Sequence, residues 1–267
     1  MKIGLLTLPL IAAAWVFGVA CRRMEAGHLL LVFARGDLLR LGRDLVLALA
    51  VLALTSDIVA LLFRPLGIAA LAFLVSAVAL LLAWGVTAPH GWLTLVFVSG
   101  ALGHAAITQR DVARRIDFSV GSVSASQLAL LVVLLLVAVA ALYLGATSYT
   151  REEGFSIPEQ YSDEFAERLA ARVAAAFPSL LRQQVHESVQ SHTGQLLTEE
   201  LERIMAPVTP YVPIAAAIAL FLPLLAVSYV LSWVILPVLW IVLALFRAVG
   251  LTRIAIEAVE VKRLVLS

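Results

Sequence analysis

Residues 128–146 read LALLVVLLLVAVAALYLGA, a run of 19 residues without a charged side chain. A helix of about 20 apolar residues is long enough to cross the roughly 30 Å hydrocarbon core of a bilayer. The backbone of such a segment has no water to bind in lipid, so its N–H and C=O groups must bond to each other, as they do in a helix. This stretch therefore predicts a transmembrane α-helix.

The rest of the 267-residue chain has the same character. Hydrophobic residues make up 62% of it and charged residues 14%, whereas a soluble domain has roughly 45–50% and about 25%. This composition excludes a soluble globular domain and predicts an all-α integral membrane protein surrounded by a lipid bilayer. The net charge of +1 provides no basic surface for nucleic acid, and the single Cys21 excludes an internal disulfide.

Further apolar stretches predict about seven spans in total. An N-terminal membrane region, residues 1–148, holds five of them, at 3–21, 45–63, 66–86, 92–107 and 128–146. A second membrane region, 208–249, contains one apolar run from Tyr211 to Phe246, which as a single helix would be about 54 Å long. Because that length exceeds the hydrocarbon core, we expect a hairpin of two spans, 211–227 and 230–246, with the polar residues near Ser228 at its turn. One long tilted helix is the alternative.

The distribution of Lys and Arg favours the seven-span arrangement. Seven spans with a cytoplasmic C-terminus place 14 of the 19 basic residues inside and 5 outside. Because cytoplasmic loops are enriched in Lys and Arg, this split predicts an N-terminus outside, in the cytoplasmic membrane of a prokaryotic cell. Merging the last two spans divides the same residues into 9 inside and 10 outside, which favours neither orientation.

The first span has a second interpretation as a signal sequence. It ends in Gly18-Val19-Ala20-Cys21, which has the small residues of a cleavage site and a cysteine that a lipid could modify. Arg22 and Arg23 follow directly and oppose translocation of this segment. We therefore expect an uncleaved span, with cleavage as the alternative.

Two segments outside the spans mix basic and apolar residues. Residues 22–44 predict either a helix at the membrane interface, bound to anionic headgroups, or an ordinary cytoplasmic connector. The tail, residues 250–267, alternates loosely between apolar and polar side chains near its end. A short strand and an interfacial helix both remain open for it.

The largest hydrophilic segment, residues 149–207, is acidic, since 151–207 contain 10 acidic residues and 5 Arg. Apolar side chains recur every four residues from Ile157 to Phe177, which predicts an amphipathic helix, and one or two shorter helices follow Pro178. Such helices bury too little surface to fold alone. We expect 151–207 to dock on a second copy of the chain or on another membrane subunit, with the rest of this chain or the membrane face as further possibilities.

Two ionisable residues lie within predicted spans, namely Asp57 and His104. A charge in the hydrocarbon costs at least about 2.5–3.5 kcal/mol, so such a residue usually faces a polar interior and often marks an ion or proton path. The alternative for Asp57 is that it is protonated or bonded to a neighbouring helix. The alternative for His104 is that it lies near the end of its span and has no role in a pathway. His90, in a predicted turn between Trp84 and Trp92, is expected to be interfacial, as are the two tryptophans.

No catalytic motif accompanies these residues. His186-Glu187 begins like the helix motif of zinc proteases, but Gln190 stands where the second histidine is required. The sequence has no nucleophile elbow, phosphate loop or dinucleotide fingerprint, so we expect no enzyme, cofactor or metal site. The first expectation is a non-enzymatic scaffold or assembly subunit of a membrane complex. The alternative is a small transporter or channel that uses the carboxylate of Asp57.

Overall fold

The computed structural model describes residues 2–26, 35–114, 123–152, 207 and 209–250. Within these ranges the regular structure is helical, and each of six long helices is apolar enough to cross a membrane. They indicate a multi-pass membrane protein. In chain order the helices are α1 (Lys2–Glu25), α2 (Arg35–Leu62), α3 (Leu66–Trp84), α4 (Ala88–Arg114), α5 (Ser124–Glu152) and α6 (Val212–Ala248), with a 3-10 turn, Thr209–Tyr211, before α6.

Helices α1 to α5 each contain most or all of one of the five predicted N-terminal spans, but α2 begins ten residues before its span and α4 continues seven residues beyond its span. Four of them begin before the apolar run or continue after it, because helical hydrogen bonding continues into the polar flanks. The exception is α3, which ends at Trp84, two residues early. Gly85 follows with a φ of 132°, in a region that favours glycine, and its N–H bonds to the Leu81 carbonyl.

The predicted hairpin is replaced by one continuous helix, so seven spans are not confirmed. Ser228 and Ser232, expected at the turn, instead donate their hydroxyls to the carbonyls of Leu224 and Tyr229, at 2.9 and 2.8 Å. Their polarity is thus satisfied within the helix, and the midpoint has no glycine or asparagine to end it. With six spans, the 9-to-10 division of basic residues no longer supports an orientation.

The helices alternate in direction, so the bundle has two ends. We call the end with the connection 63–65 the Pro65 face, where α2 and α4 end and α3 and α5 begin. The opposite end, with the connection 85–87, is the Gly85 face, where α1, α3 and α5 end and α4 begins. These two faces define the position of each polar cluster described below.

Close packing of α1 holds the bundle together. A Cβ atom on Gly18 would lie 2.6 Å from the Leu80 carbonyl oxygen of α3, and one on Gly145 of α5 would meet the backbone of Glu25. Small residues allow such close approach between membrane helices. Cys21, considered as a lipidation site from the sequence, is completely buried in the same core.

Helix α6 lies at the edge of the bundle, against α5 and α2. Six of its 37 residues are buried. Its buried side chains form a single stripe along the helix, which includes Leu224, Ser228, Ile235, Leu239 and Leu243. The other sides of α6 expose large apolar side chains, as expected for a helix in contact with lipid.

Several predictions fall partly or wholly outside the described residues. The helices expected between 153 and 206 and the tail beyond 250 lie there. Of the segment 22–44, residues 22–25 belong to α1 and residues 35–44 to α2. Its described parts therefore extend two long helices and do not form a separate interfacial helix.

Candidate functional site

The two ionisable residues singled out from the sequence meet inside the bundle. Asp57, on α2, and His104, on α4, place Oδ1 and Nε2 2.9 Å apart, with side chains 0% and 1% exposed. These two atoms lie at ion-pair distance, and no hydrogen bond of good geometry joins them. The structure thus joins two residues that the sequence analysis treated separately.

Gln127, in the first turns of α5, is the third member of this site. Its Nε2 donates a hydrogen bond of 3.0 Å to Asp57 Oδ2, and its side chain is completely buried. We refer to Asp57, His104 and Gln127 as the Asp57 cluster. Sequence reasoning missed Gln127 because it began this span at Leu128, and the only available signal was a polar residue directly before an apolar run.

Unpaired polar atoms are concentrated at the Asp57 cluster. Five buried atoms here have no hydrogen bond of good geometry: Ser56 Oγ, Asp57 Oδ1, His104 Nδ1, His104 Nε2 and Gln127 Oε1. By contrast, the buried hydroxyls of Thr55, Ser76 and Ser228 bond to carbonyls of their own helices. An unpaired buried polar group costs about 1–3 kcal/mol. Four of the five atoms belong to the cluster, where Asp57 Oδ1 and His104 Nε2 contact each other, and the fifth belongs to the residue next to Asp57, whereas the sixth such atom among the described residues, Thr94 Oγ1, lies ten residues before His104. A small polar species would be stabilised at the cluster.

Further polar contacts lead from the Asp57 cluster toward the Pro65 face. One turn after His104, the Thr108 hydroxyl lies 3.0 Å from the hydroxyl of Ser126, the residue before Gln127. Beside it, Gln109 Nε2 donates a 2.9 Å hydrogen bond to the Phe63 carbonyl, just after the end of α2. We call Thr108, Ser126 and Gln109 the polar file. These groups are possible contacts for water or for an ion between the Asp57 cluster and this face.

The same three helices carry large apolar side chains on the other side of the cluster. Leu52 precedes Asp57 by five residues, Phe97 precedes His104 by seven, and Leu134 follows Gln127 by seven, which places them about 8–11 Å away toward the Gly85 face. All three are completely buried and belong to the main core. We call Leu52, Phe97 and Leu134 the apolar layer, because they belong to the core between the Asp57 cluster and the Gly85 face.

A second polar cluster lies at the Gly85 face. Glu25, at the end of α1, accepts a 2.6 Å hydrogen bond from Trp84 Nε1 and has its two carboxylate oxygens 3.0 and 2.9 Å from His90 Nε2. His90 Nδ1 is 2.9 Å from the Gly85 carbonyl, and its ring stacks on Trp84. These contacts tie α1 to the connection between α3 and α4.

This cluster corrects two expectations for the same region. Residues 89–91 form the first turn of α4 and not a free turn, and His90 is buried because Glu25 and Gly85 satisfy both of its nitrogens. Trp84 is also buried, beneath His90, whereas Trp92 is 71% exposed. Of these two tryptophans, Trp92 is therefore the one with the exposure expected of an interfacial residue.

No family model, curated protein or solved structure matches this chain. Among the described residues, no group of three or more His, Cys, Asp or Glu side chains has the arrangement of a metal site. The chemistry available at the Asp57 cluster is therefore that of one carboxyl, one imidazole and one amide. Such a set can hold a proton and offer oxygen atoms to a cation.

Proposed function

We propose that this chain is a small membrane transporter that moves protons or cations through the Asp57 cluster. The observation that carries the proposal is the meeting of an acid, a base and an amide from three helices at one buried point. Intramembrane ionisable residues that face the interior of a bundle commonly serve ion or proton pathways. One carboxylate by itself would not support such a pathway, but His104 and Gln127 contact Asp57 from two other helices.

Charge balance determines what the Asp57–His104 pair can do. One exchangeable proton makes the pair neutral overall, either as carboxylic acid and imidazole or as carboxylate and imidazolium. Loss of that proton leaves a net negative charge in apolar surroundings, which costs several kcal/mol unless water or a cation compensates it. In this proposal, loss of the proton from the pair is coupled to the entry of water or of a cation.

The surroundings of the cluster favour access from one face. The polar file offers hydroxyl and amide groups between Asp57 and the Pro65 face, whereas the apolar layer lies on the side toward the Gly85 face. Transport across the membrane then requires a second conformation in which Leu52, Phe97 and Leu134 separate. Alternating exposure of a fixed site near the middle of a helical bundle is the general scheme of such transporters.

Reconstitution in liposomes tests the proposal. The full chain is incorporated into vesicles that contain a pH dye, and flux is driven by a membrane potential or by a gradient of Na⁺ or K⁺. Asp57→Asn should abolish the flux while the protein still expresses and folds. Asp44→Asn is the matched control, because it removes a partly exposed carboxylate near the start of the same helix. A folded wild-type protein without flux under any of these gradients would exclude this function.

A scaffold or assembly subunit is the second candidate, and the exposed surface of α6 favours it. Trp233 is 80% exposed and Val230 66%, on sides of α6 that no other described helix covers. Such a surface can contact lipid or a helix of another subunit. The test is the mass of the complex in mild detergent, measured by light scattering. A monomer without a co-purified subunit would argue against this candidate.

A further inference from the structure

We propose that the Asp57 cluster binds a monovalent metal cation, of about the size of Na⁺, in exchange for one proton. The inference rests on the proposed transport function, since it names the class of ion that the same site takes. It is carried by the chemistry of the unpaired buried atoms and by the charge of the cluster. Each of these is argued separately below.

The unpaired acceptors around Asp57 are oxygens of the kinds that hard cations prefer. Asp57 Oδ1 is a carboxylate oxygen that contacts His104 Nε2 at 2.9 Å, Gln127 Oε1 is an amide carbonyl, and Ser56 Oγ is a hydroxyl on the residue next to Asp57. All three are buried and lack a hydrogen bond of good geometry. Carboxylates, carbonyls and hydroxyl or water oxygens are the usual ligands of hard metal ions. Rotation of the Gln127 amide by half a turn would place Oε1 where Nε2 now contacts Asp57.

Charge conservation favours a monovalent over a divalent cation. In the exchange, the Asp57–His104 pair releases one proton to water, Asp57 remains as a carboxylate, His104 remains neutral, and one cation enters. The net charge of the cluster is then the same before and after. A divalent cation at the single carboxylate would leave an extra positive charge in apolar surroundings, which is unfavourable by several kcal/mol.

Other titratable groups of the neighbouring helices lie away from the cluster along the chain. Arg110 and Asp111, six and seven residues after His104, are the nearest on α4, and α3 contains no titratable residue. The remaining ones with described side chains are Cys21, Arg22, Arg23 and Glu25 on α1; Arg40, Arg43 and Asp44 on α2; Arg64, seven residues after Asp57 and exposed, between α2 and α3; His90 on α4; Tyr143 on α5; Tyr211 just before α6; and Tyr229 and Arg247 on α6. Among the described residues, His104 is therefore the titratable group in contact with Asp57.

Proton release on addition of salt tests the exchange. The purified full-length protein, in detergent and weak buffer with a pH indicator, receives NaCl, and choline chloride at equal concentration controls for ionic strength. We expect NaCl to release about one proton per chain, with saturation, as the exchange requires. Choline chloride should release none, because choline is too large for a site without exposed surface.

Variants identify the atoms responsible. Asp57→Asn should abolish the release, while Gln127→Leu and Ser56→Ala should each raise the half-saturating Na⁺ concentration about tenfold, the equivalent of about 1.4 kcal/mol. Ser76→Ala is the matched control for Ser56→Ala, because the Ser76 hydroxyl is also buried but already bonds to the Phe73 carbonyl. It should leave the Na⁺ response unchanged.

The outcomes separate this inference from the proposed function. Equal release by NaCl and choline chloride in the wild-type protein overturns the inference, and that comparison does not depend on any variant folding. If Asp57-dependent flux then persists in liposomes with choline as the only other cation, the protein transports protons without binding a metal cation. Sodium-dependent proton release without flux in liposomes supports cation binding at Asp57 and instead excludes transport.

Discussion

Asp57 Oδ1 on α2 and His104 Nε2 on α4 lie 2.9 Å apart, and both side chains are shielded from solvent. If one of the two residues is substituted, the other stays buried and loses the interaction that offset the cost of its desolvation. The two residues should therefore behave as a unit when the stability of the protein is measured. This coupling is independent of whether the cluster transports an ion.

Single and double substitutions measure this coupling. We expect His104→Leu to lower the free energy of unfolding by about 1–3 kcal/mol, because Asp57 loses a buried partner. The double variant Asp57→Leu/His104→Leu should lose less than the sum of the two single losses, since neither the carboxylate nor the imidazole is then left without the other, while Gln127 loses its acceptor equally in both Asp57 variants. Reversible unfolding in mixed detergent and SDS micelles provides the measurement. Strictly additive losses would show that the pair is not coupled.

Two glycines of the α1 contacts should resist substitution. Gly18→Ala and Gly145→Ala each place a methyl group against the backbone of a neighbouring helix, and overpacking of this kind costs about 1–3 kcal/mol. Gly103→Ala is the control, because a Cβ there meets nothing within 4 Å and alanine favours the helix by up to about 1 kcal/mol. The melting temperature in detergent should fall for the first two only. A fall of equal size for all three would contradict the packing described for α1.

The cluster at the Gly85 face predicts different roles for two tryptophans. Trp84→Phe removes the donor to Glu25 and should lower the free energy of unfolding by about 1–2 kcal/mol. Trp92→Phe, at an exposed position, should change it by less than about 0.5 kcal/mol. Fluorescence gives an independent check, since brominated lipid or acrylamide should quench Trp92 more than Trp84. Equal quenching and equal stability losses would argue against the buried contact with Glu25.

The continuity of α6 predicts the sidedness of the chain. Six crossings place the start of α1 and the end of α6 on one side of the membrane, so cysteines at Gly4 and Val249 should react with an impermeant maleimide from the same side. A cysteine at Ala26 should react only from the other side, and the native Cys21 is buried and should not react. Reaction of the Gly4 and Val249 positions from opposite sides would restore the hairpin in 211–246.

The sequence by itself determined the class of the protein and the positions of α1 to α5. Length and apolar character of a run such as 128–146 are local properties, and a bilayer forces any such run into a helix because its backbone has no other hydrogen-bond partners. The same local rule identified Asp57 and His104, since an ionisable residue in an apolar run is visible without a structure.

The number of crossings near the C-terminus was not decided by composition. An apolar run of this length is compatible with a hairpin or with one helix. The serine hydroxyls at its middle can lie in a polar turn or bond to carbonyls of their own helix. In the structure, Ser228 and Ser232 bond to carbonyls of their own helix, so α6 continues through the expected turn. The charge count favoured the hairpin, but it depends on the number of spans and so could not test that number independently.

Only the tertiary structure decided which polar residues meet. Gln127 bonds to Asp57 across 70 positions of the chain, and Glu25 contacts His90 across 65. Such contacts depend on which helices are neighbours and on the rotation of each helix about its axis. The arrangement and rotation of the helices are determined by close contacts such as that of Gly18 with Leu80. These contacts join residues that are distant in sequence. The pattern along one helix therefore identified the candidate residues, while the packing of several helices placed Asp57, His104 and Gln127 at one site.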